Sequence, residues 1–167
     1  VKYRTVATGG TFDHLHRGHE ALLAASFAAG GGGEVVIGVT SDAFARREGK
    51  SPDQTYDERV RSLERFLGAR FPGRKHTIAR LDDYFGPGIA SPDVEAIVVT
   101  KETAPRVPLA NALRAKKGYL PLEVVVVEHV LAADGAPISS TRIRRGEIDP
   151  EGNLLAPGPR GRLNELR

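Results

Sequence analysis

"VKYRTVATGGTFDHLHRGHEALL" (Val1–Leu23) decides how the rest of the chain is read. Val1–Thr8 has the composition of a strand, Gly9–Leu15 that of a loop, and Gly18–Ala29 the length and composition of a helix. Three of the chain's five histidines, His14, His16 and His19, crowd into this one strand-to-helix corner. The corner has three readings: a metal site, a phosphate site, or an ordinary turn with surface histidines and Asp13 as turn former.

Phosphate suits the start of a helix, where backbone N–H groups lack partners and the helix dipole is positive. Gly9 and Gly10 let the chain turn sharply and let a ligand approach the backbone. His16 and His19 stand at i and i+3, so their ring N–H groups can reach one phosphate. A metal needs three or four ligands. Asp13 is available to join the histidines, but His-x-x-His supplies only two, and the chain has no cysteine. No metal ligand is assigned.

Working outward, "GGGG" (Gly30–Gly33) ends the first helix, and "EVVIGVT" (Glu34–Thr40) is a strand buried on both faces. Ser41 caps a short helix. Thr55–Phe71 places Val60, Leu63, Leu67 and Phe71 on one helical face, and Thr55 with Glu58 has the capping-box spacing. "KHTIARL", "VEAIVVT" (Val94–Thr100) and "LEVVVVEHV" (Leu122–Val130) are three further strands, with a helix around Thr103–Lys117. "PISSTRIRRGE" (Pro137–Glu147) is a loop running into a short helix.

Strands alternating with helices predict an α/β fold: a Rossmann-like, doubly wound parallel sheet of five strands in a single domain. Ligands of such sheets bind beyond the carboxyl ends of the strands, where strand order reverses. Thr8–His19, Thr40–Lys50 and Thr100–Thr103 all follow strand ends and are expected at one rim. The 167 residues divide into a domain over 1–155 and a Pro/Gly-rich basic tail over 156–167, mobile or packed as an arm.

Composition narrows the partners. The net charge is +3, with basic residues interleaved among acids, as in "YDERVRSLERFLGAR". That describes a solvated helix face and excludes a nucleic-acid stripe. No apolar run approaches the ~18 residues of a membrane span, and no signal-peptide pattern opens the sequence. The expected setting is cytoplasmic, without nucleic acid or membrane as partner.

"GGTFDHLHRGH" resembles the signature of the nucleotidyltransferase superfamily with the His-x-Gly-His motif. "ISSTRIR" (Ile138–Arg144) resembles the adenylyltransferase form of its second motif. "VTKETAP" (Val99–Pro105) and "GEIDPEGNLL" (Gly146–Leu155) are similar to the archaeal and eukaryotic type of phosphopantetheine adenylyltransferase. The resemblance covers nearly all of the chain up to Leu155. Where bacterial relatives carry an Arg-rich stretch after the fourth strand, "TKETAP" stands here, which sets the chain outside the bacterial type.

The resemblance implies transfer of AMP from ATP to 4′-phosphopantetheine, giving dephospho-coenzyme A and pyrophosphate in coenzyme A biosynthesis. It assigns catalysis to His19 and His16, and ATP binding to Gly9, Gly10, His16, Gly18, His19, Ser139, Ser140, Thr141 and Arg144. The acceptor falls to Thr11 and to Arg46, Arg47 or Lys50, with the choice among these three open. Mg²⁺ is expected on the ATP phosphates. A monomer is favoured, with a homo-oligomer as the other state. Ser139–Thr141 also make sense unaided, since small hydroxyl residues before a helix supply a cap and anion donors, and Arg144 can hold phosphate bidentately. Two alternatives stay open: another member of the superfamily, using CTP or nicotinamide mononucleotide, and a non-catalytic nucleotide-binding module.

Overall fold

The structure is a computed structural model and describes residues 3–84, 86 and 91–156. The expected tail over 156–167 lies outside the described residues except for Ala156.

Five strands form one parallel sheet: β1 (Thr5–Gly10), β2 (Glu34–Thr40), β3 (His76–Leu81), β4 (Ala96–Thr100) and β5 (Glu123–Val127). Their order is β3-β2-β1-β4-β5. The chain winds outward from β1 to β3, then returns to lay β4 against the other side of β1. This is the doubly wound topology, and the reversal leaves a crevice between the carboxyl ends of β1 and β4. The connecting helices are α1 (Arg17–Gly30), α2 (Asp42–Arg47), α3 (Tyr56–Arg70), α4 (Val107–Lys116) and α5 (Ser140–Arg144).

Local chemistry sets most boundaries. Ser41 Oγ accepts from Phe44 N, and Thr55 with Glu58 forms the reciprocal capping box. Gly31 leaves α1 at φ 57°, a conformation that costs a Cβ-bearing residue ~1–2 kcal/mol. The single helix expected over Thr103–Lys117 is divided. Pro105 sits in a 3₁₀ turn (Ala104–Arg106), and Pro108 sits at the start of α4, each at a position where the missing N–H does no harm.

One expectation is corrected. Gly9 and Gly10 are not loop but the last two residues of β1, paired with Gly38 and Val39. Two glycines in a row look like a turn in sequence, yet here they continue the ladder because β2 runs close beside them.

The sheet has two different faces. On one, Val6, Ile37 and Val39 pack with Leu23, Phe27, Leu63 and Leu67 in the main core. Each such burial stabilises the fold by roughly 1.5–3 kcal/mol. On the other, Ala7, Ile97 and Val99 meet Val107 and Leu122. Side chains alternate along a strand, and several second-face positions are small: Ala7, Gly9, Gly38 and Ala79. Their missing volume leaves a cavity of ≈ 280 Å³ over the sheet, walled by α2 and α4.

Candidate active site

The turn after β1 is strained. Phe12 and His14 both hold positive φ, 56° and 49°, so Asp13 sits between two left-handed residues. Such conformations persist only where the surroundings over-determine them. Here the surroundings do. The fully buried ring of Phe12 lies 5.2 Å from that of His19, and the buried Asp13 carboxylate accepts from Asp53 N and Gln54 N, both at 3.1 Å.

Asp13 also ties in the second motif. Arg144 Nη1 donates to Asp13 Oδ2 at 3.0 Å, and Ser140 Oγ donates to the Asp13 carbonyl. Arg17 N donates to Pro150 O at 3.2 Å. The start of α1 and the start of α5 therefore form one site. A small core of Ala132, Ile138 and Ile148 seats α5 there.

His16 and His19 cap α1 with each other. His16 is the N-cap residue, and its Nδ1 accepts from Gly18 N at 3.0 Å. His19 Nδ1 accepts from His16 N at 3.2 Å. The rings stack at 3.8 Å between centroids. This is the geometry of a capping box, with imidazole in place of hydroxyl and carboxylate. Because Nδ1 is an acceptor in both, each neutral ring carries its hydrogen on Nε2 and can donate from there. Burial pushes the His16 pKa down to about 4. Burial, with the neighbouring His16 and Lys50, holds His19 well below its usual 6.5. Both rings are thus neutral donors at pH 7. Gly18 is required by space: a Cβ there would lie 2.8 Å from the His16 ring.

The remaining predicted residues divide. Thr11 and Lys50 line the cavity with Gly9 and Gly10. Arg46 and Arg47 are exposed and not among its lining residues; Arg47 Nη2 instead binds the carbonyl of Asp82. Ser139 Oγ accepts from Arg142 N as the cap of α5, and Thr141 Oγ1 accepts from Arg144 Nη2. His14 stands apart from the histidine pair, with its Nε2 2.7 Å from Asp53 Oδ2. Asp13, His14 and Asp53 bring three ligand-type atoms within 4.8 Å of one another, but Asp13 already accepts three hydrogen bonds.

Sequence reasoning left Arg59 unassigned. Its side chain is fully buried and donates to the carbonyls of Thr11 (2.7 Å), Thr40 (2.9 Å) and Gln54 (3.2 Å) and to Asp42 Oδ1 (2.8 Å). Nothing in the pattern of α3 singles it out, since Arg61, Arg65 and Arg70 share the same helix. Arg106 and Tyr84 were missed too. They line the cavity together, with the guanidinium 3.8 Å from the ring centroid.

Residues 7–146 match the cytidylyltransferase-like family. The chain is 44% identical to the phosphopantetheine adenylyltransferase of Methanothermobacter thermautotrophicus, over 92% of this chain and 91% of that protein. It is 46% identical to the protein of the same name in Methanosarcina acetivorans, over 89% of this chain and 94% of that one. Among solved structures, a protein of unknown function from Archaeoglobus fulgidus superposes with a TM-score of 0.67 at 28% identity, covering 81% of this chain and 99% of that one.

Proposed function

Since this chain belongs to the cytidylyltransferase-like nucleotidyltransferase family, we propose that it transfers AMP from ATP to 4′-phosphopantetheine, releasing pyrophosphate and dephospho-coenzyme A. The observation that carries this reading is the knot at Asp13, which joins the histidine-capped start of α1 to the hydroxyl-capped start of α5 beside the cavity.

The chemistry needs no general base. An oxygen of the acceptor's phosphate, ionised at neutral pH, attacks the α-phosphorus of ATP. The bond from that phosphorus to the oxygen bridging to the β-phosphate breaks, and pyrophosphate leaves with the electron pair. Catalysis of such transfers is positioning plus stabilisation of developing charge. His19 Nε2–H donates to the α-phosphate, and His16 Nε2–H seats the phosphate chain. Neutral imidazoles suit this task because their Nε2–H donates yet does not ionise near neutral pH. Ser139, Ser140, Thr141 and Arg144 receive the β- and γ-phosphates. To do so, Arg144 turns from Asp13 toward the nucleotide or shares itself between them.

Thr11 receives the acceptor's phosphate. Its Oγ1 is buried and has no hydrogen-bond partner among the described residues, a condition that costs ~1–3 kcal/mol until a ligand relieves it. Lys50 supplies positive charge at the same mouth. The pantetheine arm lies along the cavity past Leu81 toward Tyr84 and Arg106. At ≈ 280 Å³ the space is near the lower end of small-molecule sites, ~300–1,000 Å³.

Mg²⁺ neutralises phosphate charge when bound. The carboxylate at the joint, Asp13, is engaged by two amides and Arg144, so this chain's part would be to hold the phosphates while the ion offset their charge. The setting proposed is the cytoplasm; among the described residues no helix is long and apolar enough to cross a membrane.

The test is a panel of ATP or CTP against 4′-phosphopantetheine or nicotinamide mononucleotide, scored by pyrophosphate release. Turnover is expected only with ATP and 4′-phosphopantetheine. Equal turnover with CTP or with the mononucleotide would move the chain elsewhere in its family. Nucleotide binding with no turnover on any pair would leave a binding module.

A further inference from the structure

Among the described residues, two buried side-chain polar atoms lack a hydrogen-bond partner: Thr11 Oγ1 and Thr40 Oγ1. Both residues line the cavity. Thr40 ends β2 and Thr11 follows β1, and the strands pair Gly10 with Val39, so the two threonines are neighbours at the carboxyl edge of the sheet. A single nitrogen, Arg59 Nη1, donates to the backbone carbonyls of both.

Folded proteins rarely leave buried hydroxyls unpaired, and each exception asks for an explanation. A coincidence is a poor one here. The two exceptions are adjacent, belong to residues that line the same cavity, and have their backbone carbonyls held by the same guanidinium. Arg59 is itself fully buried, which is costly for a cation without compensation. It is compensated by three carbonyls and Asp42. Burial pushes the Asp42 carboxyl up, but hydrogen bonds from Arg59 and Tyr56 N win and keep it below its ordinary value, hence ionised. The clamp is therefore rigid and neutral as a pair.

We propose that Thr40 donates a second hydroxyl to the acceptor's phosphate, beside Thr11, and that Arg59 is the positioning residue that sets both threonines. The inference rests on the acceptor site described above and deepens it. Two hydroxyls at the ends of adjacent strands, with Lys50 at the same mouth, present donors to separate oxygens of one tetrahedral phosphate. That arrangement fixes which oxygen remains free to attack.

The test uses the full chain and steady-state kinetics with 4′-phosphopantetheine and ATP. Thr40→Val keeps the shape and removes the hydroxyl. It should raise the acceptor KM by ~10-fold or more, the usual consequence of losing a hydrogen bond to a charged group, while leaving the ATP KM unchanged. Thr40→Ser should return the acceptor KM to within about threefold of the wild type. Arg59→Lys should raise the acceptor KM without moving the ATP KM. In that background Thr40→Val should cost less than it does alone, because the hydroxyl is already misplaced. A wild-type acceptor KM in Thr40→Val, or a Thr40→Ser no better than Thr40→Val, overturns the proposal. Equal rises in both KM values for Arg59→Lys reduce that residue to scaffold. If Arg59→Lys does not fold, the Thr40 pair decides alone. Wild-type protein that makes no pyrophosphate from 4′-phosphopantetheine would defeat the acceptor assignment itself, and Thr40's share with it.

Discussion

Arg144 Nη1 lies 3.0 Å from Asp13 Oδ2, joining residues 131 positions apart in the chain. The carboxylate is fully buried, while 19% of the arginine side chain remains exposed. One partner is thus anchored and the other can move. The same carboxylate holds two backbone N–H groups of the segment leading into α3.

Asp13→Ala should therefore cost stability and function together. It leaves the amides of Asp53 and Gln54 without an acceptor and Arg144 without its anchor. Unfolding in urea should show a loss of ~3–5 kcal/mol. Asp13→Asn keeps one acceptor oxygen and should lose less. In both variants the ATP KM should rise, because the second motif is no longer held to the first.

His19→Gln separates helix capping from catalysis. Glutamine is a native residue at this capping-box position and can still reach the His16 amide. Circular dichroism should report a melting temperature within a few degrees of wild type. Turnover should fall by ~100–1,000-fold, the cost of one strong transition-state donor. Near-full turnover would remove His19 from the mechanism.

Acid should destabilise the fold through the same two rings. In the unfolded chain a histidine binds its proton near 6.5; in the folded chain His16 does so only at about 4. Between these values the unfolded state holds more protons, so stability is full above pH 6.5 and is lost as pH falls toward 4. For His16 alone the loss approaches ~3 kcal/mol, at ~1.4 kcal/mol per unit. His19 shifts in the same direction. Urea midpoints measured from pH 7 to pH 4 should fall accordingly, and His16→Asn, which retains a cap, should flatten the curve. Turnover between pH 6.5 and 8.5 should carry no inflection from either ring.

Gly38→Ala tests the cavity floor. The added Cβ would lie 2.7 Å from Leu81, a side chain that can yield only by moving. Leu81 also lines the cavity, so the displaced atoms enter the space meant for the acceptor. Overpacking of this kind typically costs ~1–3 kcal/mol. The acceptor KM should rise by about tenfold, with little change in the ATP KM.

The sheet was legible in the sequence because β2, β4 and β5 are runs rich in β-branched residues and the strands alternate with helical periods. That the two motifs would meet followed from the resemblance, which assigns ATP to both. Less legible were features that depend on partners far along the chain. Arg59 and Arg114 look like any exposed helical arginine, yet both are buried by carbonyls that other segments supply: Thr11 and Thr40 for one, Ser91 and Val94 for the other. Gly9 and Gly10 read as a turn because nothing local reveals that β2 completes their ladder. His16 and His19 advertise their spacing but not their second occupation, since a histidine cap is uncommon beside the usual Ser, Thr, Asp and Asn.

The Leu81 side chain, packed over Gly9 and Gly38, lines the cavity in which the acceptor would rest. A molecule that binds there only when the chain is folded adds to its stability, so occupancy and persistence of the fold share one equilibrium. In a cell, the lifetime of this protein against proteolysis would then rise and fall with the supply of its acceptor, making metabolite level a determinant of enzyme abundance without any transcriptional signal.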